Sequence, residues 1–468
     1  MIPKTNSFIK IGIIYTVSNV IIKGMAYLTT PLFTRLMSQI EYGSFSSISS
    51  WASIISIIAA LSLYSSISRA KYDYPEKIDE YISTITVVGS VFAFLLWGFL
   101  ELDIERWESL LDMNRVYIRS IMLYSIFSPC VQALLTKYRM YNEYKKVIFL
   151  TFFTLFITTF ASLGFTIFMP NKLTGRVIGT YLVVAIADIF IWIFTISRGK
   201  KISWRYCKYA FALSLPLLVH ELSGVLLNSS GKIIINQLCG EADAALYSIA
   251  YTVAMIITML MSSVNQAWVP WFFDKLAIDD TQSVKRIIPA YMAIFTAGCI
   301  AVMLIGPELV LIFGGRSYAS ANSVIPPICF SVCLQFVYTL YVNVEFYLMK
   351  TKFISLATLG ATIINIGANY LLIPNFGYIA AAYASIIGYA FMLVFHYLVC
   401  RTTKYSQLFN IRILFLNISV CLAAMLLTIV LYQWNVVRWC VIVTLFIVCG
   451  LLMIFNRNKI IQKIKEVF

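Results

Sequence analysis

The residues of this chain that could do chemistry are charges placed where a bilayer would be. Lys23 lies near the middle of an apolar run covering residues 8–34. A lysine at mid-span costs roughly 2.5–3.5 kcal/mol on insertion scales, so it needs a reason to be there. One reading is a cation facing a water-filled cavity that receives an anion. The other is a lysine whose stem snorkels to an interface; its distance from both ends of the run favours the cavity. Lys232 follows Asn228-Ser229-Ser230-Gly231, a polar run expected to break an apolar helix. For Lys232 the two readings are equally open. Arg35, at the outer mouth of the first run, reads as an interface anchor first and a ligand group second.

Three acids fall inside apolar runs: Asp188, Glu221 beside His220, and Glu345. An intramembrane carboxylate either pairs with a cation or takes a proton or sodium ion. Pairing is expected for Glu345, because Lys350 and Lys352 are close in sequence. For Glu221 pairing and ion coupling are equally open, and Asp188 is a third coupling candidate. Amides recur in the same runs (Asn19, Asn265, Gln266, Gln335, Asn343, Asn365, Asn369). Singly these are interhelical hydrogen bonds; together they would suit a sugar, which offers hydroxyls and no charge.

Enzymatic chemistry finds little to use. The sequence holds no Walker-type loop, no GxSxG and no HExxH. Its 10 cysteines stand singly and its 2 histidines are far apart, so neither a metal nor a cofactor is expected.

The elements that must position these residues are membrane helices. Hydrophobic residues make up 60% of the 468 and charged residues only 12%, about half the share of a soluble domain. At roughly 20 apolar residues per span the chain reads as about 14 transmembrane helices. Each must be helical, because lipid offers backbone groups no partner. Every connection assigned to the inner side carries at least as many Lys and Arg as its outer neighbours, which puts both termini in the cytoplasm. The net charge of +15 is therefore orientation charge and not a nucleic-acid surface. The most basic connection, Arg198 to Lys208, falls near the middle. The expected architecture is an all-α integral membrane protein with two parallel, pseudo-repeated six-helix bundles, residues 1–200 and 201–405. An added helix pair and basic tail follow over 406–468.

A short internal match supports the duplication. Leu36 to Ser46, LMSQIEYGSFS, aligns without gaps on Leu238 to Ser248, LCGEADAALYS. Leu36 meets Leu238, Glu41 meets Asp243, Phe45 meets Tyr247 and Ser46 meets Ser248. In the first copy a long helix is expected to close at Thr30-Pro31, with a turn through Glu41-Tyr42-Gly43 before the next helix.

Three stretches carry a resemblance to a known family. They are Thr30-Pro31-Leu32 through Ser44-Phe45, the inner segment SISRAKYDYPEKIDEY from Ser66 to Tyr81, and Pro216 followed by NSSGKIIINQLCGEADAALYSIAY from Asn228 to Tyr251. On these the chain resembles the bacterial polysaccharide flippases. These are the O-antigen or capsule repeat-unit translocases of the multidrug/oligosaccharidyl-lipid/polysaccharide (MOP) exporter superfamily. The resemblance implies a multi-pass protein of the bacterial cytoplasmic membrane that is not an enzyme. Its substrate would be an undecaprenyl-diphosphate-linked oligosaccharide, crossing by alternating access with proton or sodium coupling. Membrane lipids, a polysaccharide polymerase and a chain-length regulator are the implied partners. Lys23, Arg35, Lys232, Arg69 and Asn19 form the substrate-binding set, with cations supplying counter-charge to the diphosphate or an acidic sugar. Such proteins often carry an acid beside the base late in the seventh span; here Gly231 precedes Lys232, leaving only the base. Two alternatives stand beside this reading. A cation-coupled multidrug exporter of the same superfamily would favour acids over lysines in its N-terminal cavity. An integral membrane polymerase would display a large outer loop bearing arginines and a catalytic acid or histidine.

Overall fold

A computed structural model describes Gly24, Met25 and residues 27–455. Lys23 and Asn19 lie outside the described residues. Helices carry nearly all of these residues, and no strand occurs among them. Among the described residues, eleven helical stretches are long and apolar enough to cross a membrane; one of these, Thr351–Arg401, contains two helices joined at a short turn. An all-α integral membrane fold is therefore borne out.

The chain divides into two compact units. The first comprises Met1–Ser248 with Thr358–Ala381, and the second Ile249–Ala357 with Ala382–Phe468. The first unit opens with α1 (27–36), α2 (Gln39–Ala60), α3 (Ile67–Asp73), α4 (Ile78–Glu101), α5 (Ile104–Leu111) and α6 (Arg115–Met140). It continues with α7 (Tyr144–Phe168), α8 (Lys172–Val177), α9 (Val183–Gly199), α10 (Trp204–Cys239) and the start of α11 (Glu241–Ala277). α2, α4, α6 and α9 pack together, and α10 lies along α2.

The first helix break is not where the sequence pattern suggests. α1 runs through Pro31, and Ser38, not Glu41, begins the next helix. Ser38 Oγ accepts from the Glu41 backbone N–H (3.2 Å) while Glu41 Oε2 accepts from that of Ser38 (2.8 Å). This reciprocal capping box satisfies two otherwise unpaired donors at the helix start. It leaves Tyr42 and Gly43 already helical. α2 ends in two successive left-handed residues, Leu61 (φ 50°) and Ser62 (φ 49°), each costing about 1–2 kcal/mol outside glycine. The Ser62 hydroxyl donates to Glu221 Oε2 (2.7 Å), as does Tyr64 (2.8 Å). Glu221 thus fixes a strained corner through hydroxyl donors.

α10 also departs from expectation, because it stays helical through Asn228–Gly231. The polar side chains there find partners without unwinding the backbone. Asn228 Nδ2 donates to Gly224 O (2.7 Å) and Ser230 Oγ to Asn365 Oδ1 (3.1 Å) on α15 (Thr351–Phe376). Asn365 Oδ1 also accepts from Asn369 (3.0 Å). Of these bonds, the one from Ser230 to Asn365 joins two helices.

The second unit holds the rest of α11, then α12 (Thr281–Leu304), α13 (Gly306–Phe313), α14 (Ile325–Tyr347), the start of α15, α16 (Ala380–Arg401) from Ala382, α17 (Ile411–Leu431) and α18 (Asn435–Phe455). α12, α14 and α17 form its centre. Arg438, 2% exposed, binds both Glu308 oxygens (2.7 and 2.6 Å) and Leu304 O, tying α18 to α13. Asn343 Nδ2 donates to Asn265 Oδ1 (3.3 Å).

Candidate functional site: a cationic pocket lined with serine

α2 carries Ser46, Ser49, Ser50 and Ser53 on one face, because residues three, four and seven apart stack on a helix. The Ser50 hydroxyl donates to Ser46 O and that of Ser53 to Ser49 O, both at 2.9 Å. Those carbonyls already serve the helix ladder. The hydroxyls can therefore rotate toward an anion without orphaning a backbone group.

Arg176 reaches this face from α8. Its placement rests on close helix packing. A Cβ at Gly175 would lie 2.3 Å from Phe165 O, and one at Gly179 would lie 2.5 Å from Ala161 O. Two glycines four residues apart let this segment press against the α7 backbone. A π turn, Ile178–Leu182, follows at once; such turns recur at functional sites. The Arg176 guanidinium carbon lies 3.8 Å from the Phe45 ring centroid and 4.0 Å from that of Phe33. Nη1 reaches Met37 Sδ at 3.5 Å. Cation–π contacts on these two rings, and on Tyr42 at 5.0 Å, hold this planar cation, 9% exposed, in the pocket lining.

Lys232, half-buried on α10, lines the same pocket with Ser229. Together Arg176, Lys232, Tyr42, Phe45 and the four α2 serines enclose about 220 Å³. No carboxylate is among the described lining residues. At about 30 Å³ per water the space suits a compact anionic group, and it falls below the usual 300–1,000 Å³ of a drug-sized site.

The other expected site residues fall elsewhere. Arg35 is exposed in the last turn of α1 and does not line the pocket. Arg69 is exposed on α3, where its Nε binds Asp73 Oδ2 (3.1 Å). Asp73 also accepts from the Tyr209 hydroxyl (2.5 Å). That bond first, and then Arg69, hold its carboxyl below the ordinary range. Asp188, 2% exposed on α9, has no ion pair among the described residues. Glu345 was expected to pair with Lys350 and Lys352. Instead its Oε1 meets His396 Nδ1 at 2.8 Å, both side chains fully buried. The reason is geometric: Lys350 lies past the end of α14, where its backbone N–H caps Glu345 O (2.8 Å), while α16 brings His396 alongside. Arg176 is the site residue that sequence reasoning missed. The signal for it in the sequence is the Gly175–Gly179 spacing around it.

Three comparisons bear on this arrangement. A family model described as "Polysaccharide biosynthesis protein" matches residues 8–275. Lsg locus putative protein 1 of Haemophilus influenzae is 24% identical over 407 residues, covering 81% of this chain and 94% of that protein. An uncharacterized membrane protein of the same organism is 23% identical over 395 residues, covering 82% and 94%. Among solved structures, an inward-facing multidrug resistance MATE family transporter of the MOP superfamily superposes with TM-score 0.59 at 13% identity, over 84% of this chain and 98% of that one. A MOP superfamily transporter from Pyrococcus furiosus gives 0.52 at 14%, over 85% and 96%. Arg176, Lys232 and the serine face of α2 all fall inside the matched segment, and by that match the chain belongs to the polysaccharide biosynthesis protein family, in the fold of the MOP superfamily transporters.

Proposed function

We propose that the protein translocates undecaprenyl-diphosphate-linked oligosaccharide repeat units from the inner to the outer leaflet of the bacterial cytoplasmic membrane. One observation carries this reading: Arg176, Lys232 and the four serines of α2 line a single compact pocket. Two cations and several hydroxyl donors around one small space set what the pocket needs from a ligand: negative charge and acceptor oxygens. A diphosphate meets that need, and at 4 Å one such charge pair is worth about 4 kcal/mol at an effective dielectric near 20. The Ser50 and Ser53 hydroxyls would bind the phosphate oxygens, leaving the saccharide outside this small pocket. Lys23 and Asn19 on the first span and Arg35 at its mouth are proposed to lie along the substrate path, and Arg69 to meet it on the inner side. The proposed motion is alternating access by two six-helix halves, residues 1–200 and 201–405, with 406–468 added. Asp188, a buried acid with no ion pair among the described residues, is the preferred carrier of a coupling proton.

A cation-coupled multidrug exporter is the weaker reading, because a cationic pocket repels the usual cargo of such proteins. The Pyrococcus furiosus neighbour is itself described as having a binding pocket of reversed polarity that suggests a different function. The test is complementation in cells lacking the endogenous flippase, with membrane insertion verified. Lys232→Ala and Arg176→Ala are expected to abolish surface polysaccharide. Lys232→Arg should keep most of it, whereas Arg176→Lys should not, because lysine loses the ring stacking. Normal polymer in both alanine variants would end the proposal.

A further inference from the structure

A second basic pocket lies in the other unit, where α12, the end of α16 and the start of α17 meet. It encloses about 590 Å³, and Lys285, Arg401, Ser406, Gln407 and Asn410 contribute its polar lining. Ile288, Pro289, Leu408 and Phe409 supply an apolar floor. The 402–410 connection that forms one wall is well held. Tyr405, Leu408 and Phe409 are buried. The Phe409 ring packs edge-on against Tyr341 (5.0 Å), and Tyr405 N donates to Thr403 Oγ1 (3.2 Å). The cavity is therefore built from packed parts, not from a loose loop.

Its charge is unbalanced. Lys285 makes no ion pair among the described residues, and Arg401 Nη1 donates to the Tyr397 hydroxyl (3.2 Å). Nearby acids are already engaged: Asp280 binds Lys275 (3.0 Å) and Asp279 faces Lys404 (3.7 Å). Two exposed cations above an apolar floor, at the end of three membrane helices, match the phosphate and glycerol of a phospholipid better than a free ion. Basic pockets between membrane helices at the cytoplasmic face hold acidic headgroups for the same reason. The charge asymmetry of the connections assigns Lys285 and Arg401 to that face.

We propose that this pocket seats the phosphate ester of an anionic phospholipid from the inner leaflet. Lys285 and Arg401 supply the counter-charge, Ser406 and Gln407 donate hydrogen bonds, and the apolar floor takes the start of the acyl region. The site is separate from the Arg176–Lys232 pocket and does not depend on what the protein transports.

The test is native mass spectrometry of the full-length protein in detergent, titrated with phosphatidylglycerol, phosphatidylcholine or inorganic phosphate. Phosphatidylglycerol is expected to remain bound under activation that strips phosphatidylcholine. The Lys285→Ala/Arg401→Ala variant should weaken its binding roughly 30-fold, and Lys285→Arg/Arg401→Lys should restore it. If the double alanine variant is not recovered folded, Ser406→Glu, which puts a carboxylate at the exposed rim, is expected to give the same loss. Equal phosphatidylglycerol binding in these variants would overturn the proposal. So would inorganic phosphate binding that competes with the lipid at equal concentration, which would make the pocket a site for a soluble anion.

Discussion

The hydroxyl oxygens of Ser46 and Ser248 lie 2.5 Å apart. These are the serines that end the two copies of the internal match, so the duplicated segments pack against one another at equivalent positions. Gln39 Nε2 adds a bond to Ala242 O (3.2 Å) across the same crossing. The approach is close because Gly43 has no side chain: a Cβ there would lie 1.7 Å from Glu241 O and 2.7 Å from Glu241 C.

Gly43→Ala should therefore be strongly damaging. The obstructing atoms are backbone, so relief requires a helix shift, and overpacking of this kind costs about 1–3 kcal/mol or more. The expected outcome is a lowered melting temperature in detergent and reduced surface polysaccharide. Ser46→Ala, which removes one hydroxyl but no space, should cost about 1 kcal/mol. Equal melting temperatures for Gly43→Ala and the parent would show that the crossing is looser than these distances imply.

Glu345 and His396 predict a non-additive pair. Their side chains are 0% exposed and in contact at 2.8 Å, with Tyr338 stacked on the imidazole (centroids 5.7 Å apart). Removing the imidazole alone by His396→Phe leaves a carboxylate buried without its partner and should destabilise by about 3–5 kcal/mol. Glu345→Met combined with His396→Phe should cost less than the sum of the two single changes. Thermal unfolding of the four proteins in one detergent gives the cycle; strict additivity would mean the two groups are not coupled.

Asp73 predicts a pH dependence. Its carboxyl is held below the ordinary value by the Tyr209 hydroxyl and by Arg69. A carboxylate with a lowered folded pKa stabilises the fold above its unfolded value, near 3.9, and loses that contribution as pH falls through the folded value. The parent should thus melt above Asp73→Asn by a constant margin from about pH 7 to pH 5. The margin should close only as the pH drops below about 4. A margin that stays flat down to pH 3 would mean that Asp73 does not act as a paired carboxylate.

The membrane class and the helical content were legible from residue type and order alone, whereas the turn read at Glu41-Tyr42-Gly43 is helical and the break falls at Ser38. Lipid forces long apolar runs to be helices whatever surrounds them, and charge bias along the connections survives any packing. Lys232 was singled out for the same reason, because an isolated charge in an apolar run is visible without a partner. The partner itself was not visible. Arg176 is 9% exposed and reaches Lys232's pocket only because Gly175 and Gly179 lay its helix against α7 and the rings of Phe33 and Phe45 receive it. Glu345 found His396 and not its sequence neighbours because α16 passes beside α14, a fact about helix adjacency that no local pattern encodes. The sequence decided which groups would be expensive to bury; only the tertiary structure decided which of them share one enclosure, since pairing depends on distances between segments far apart in the chain.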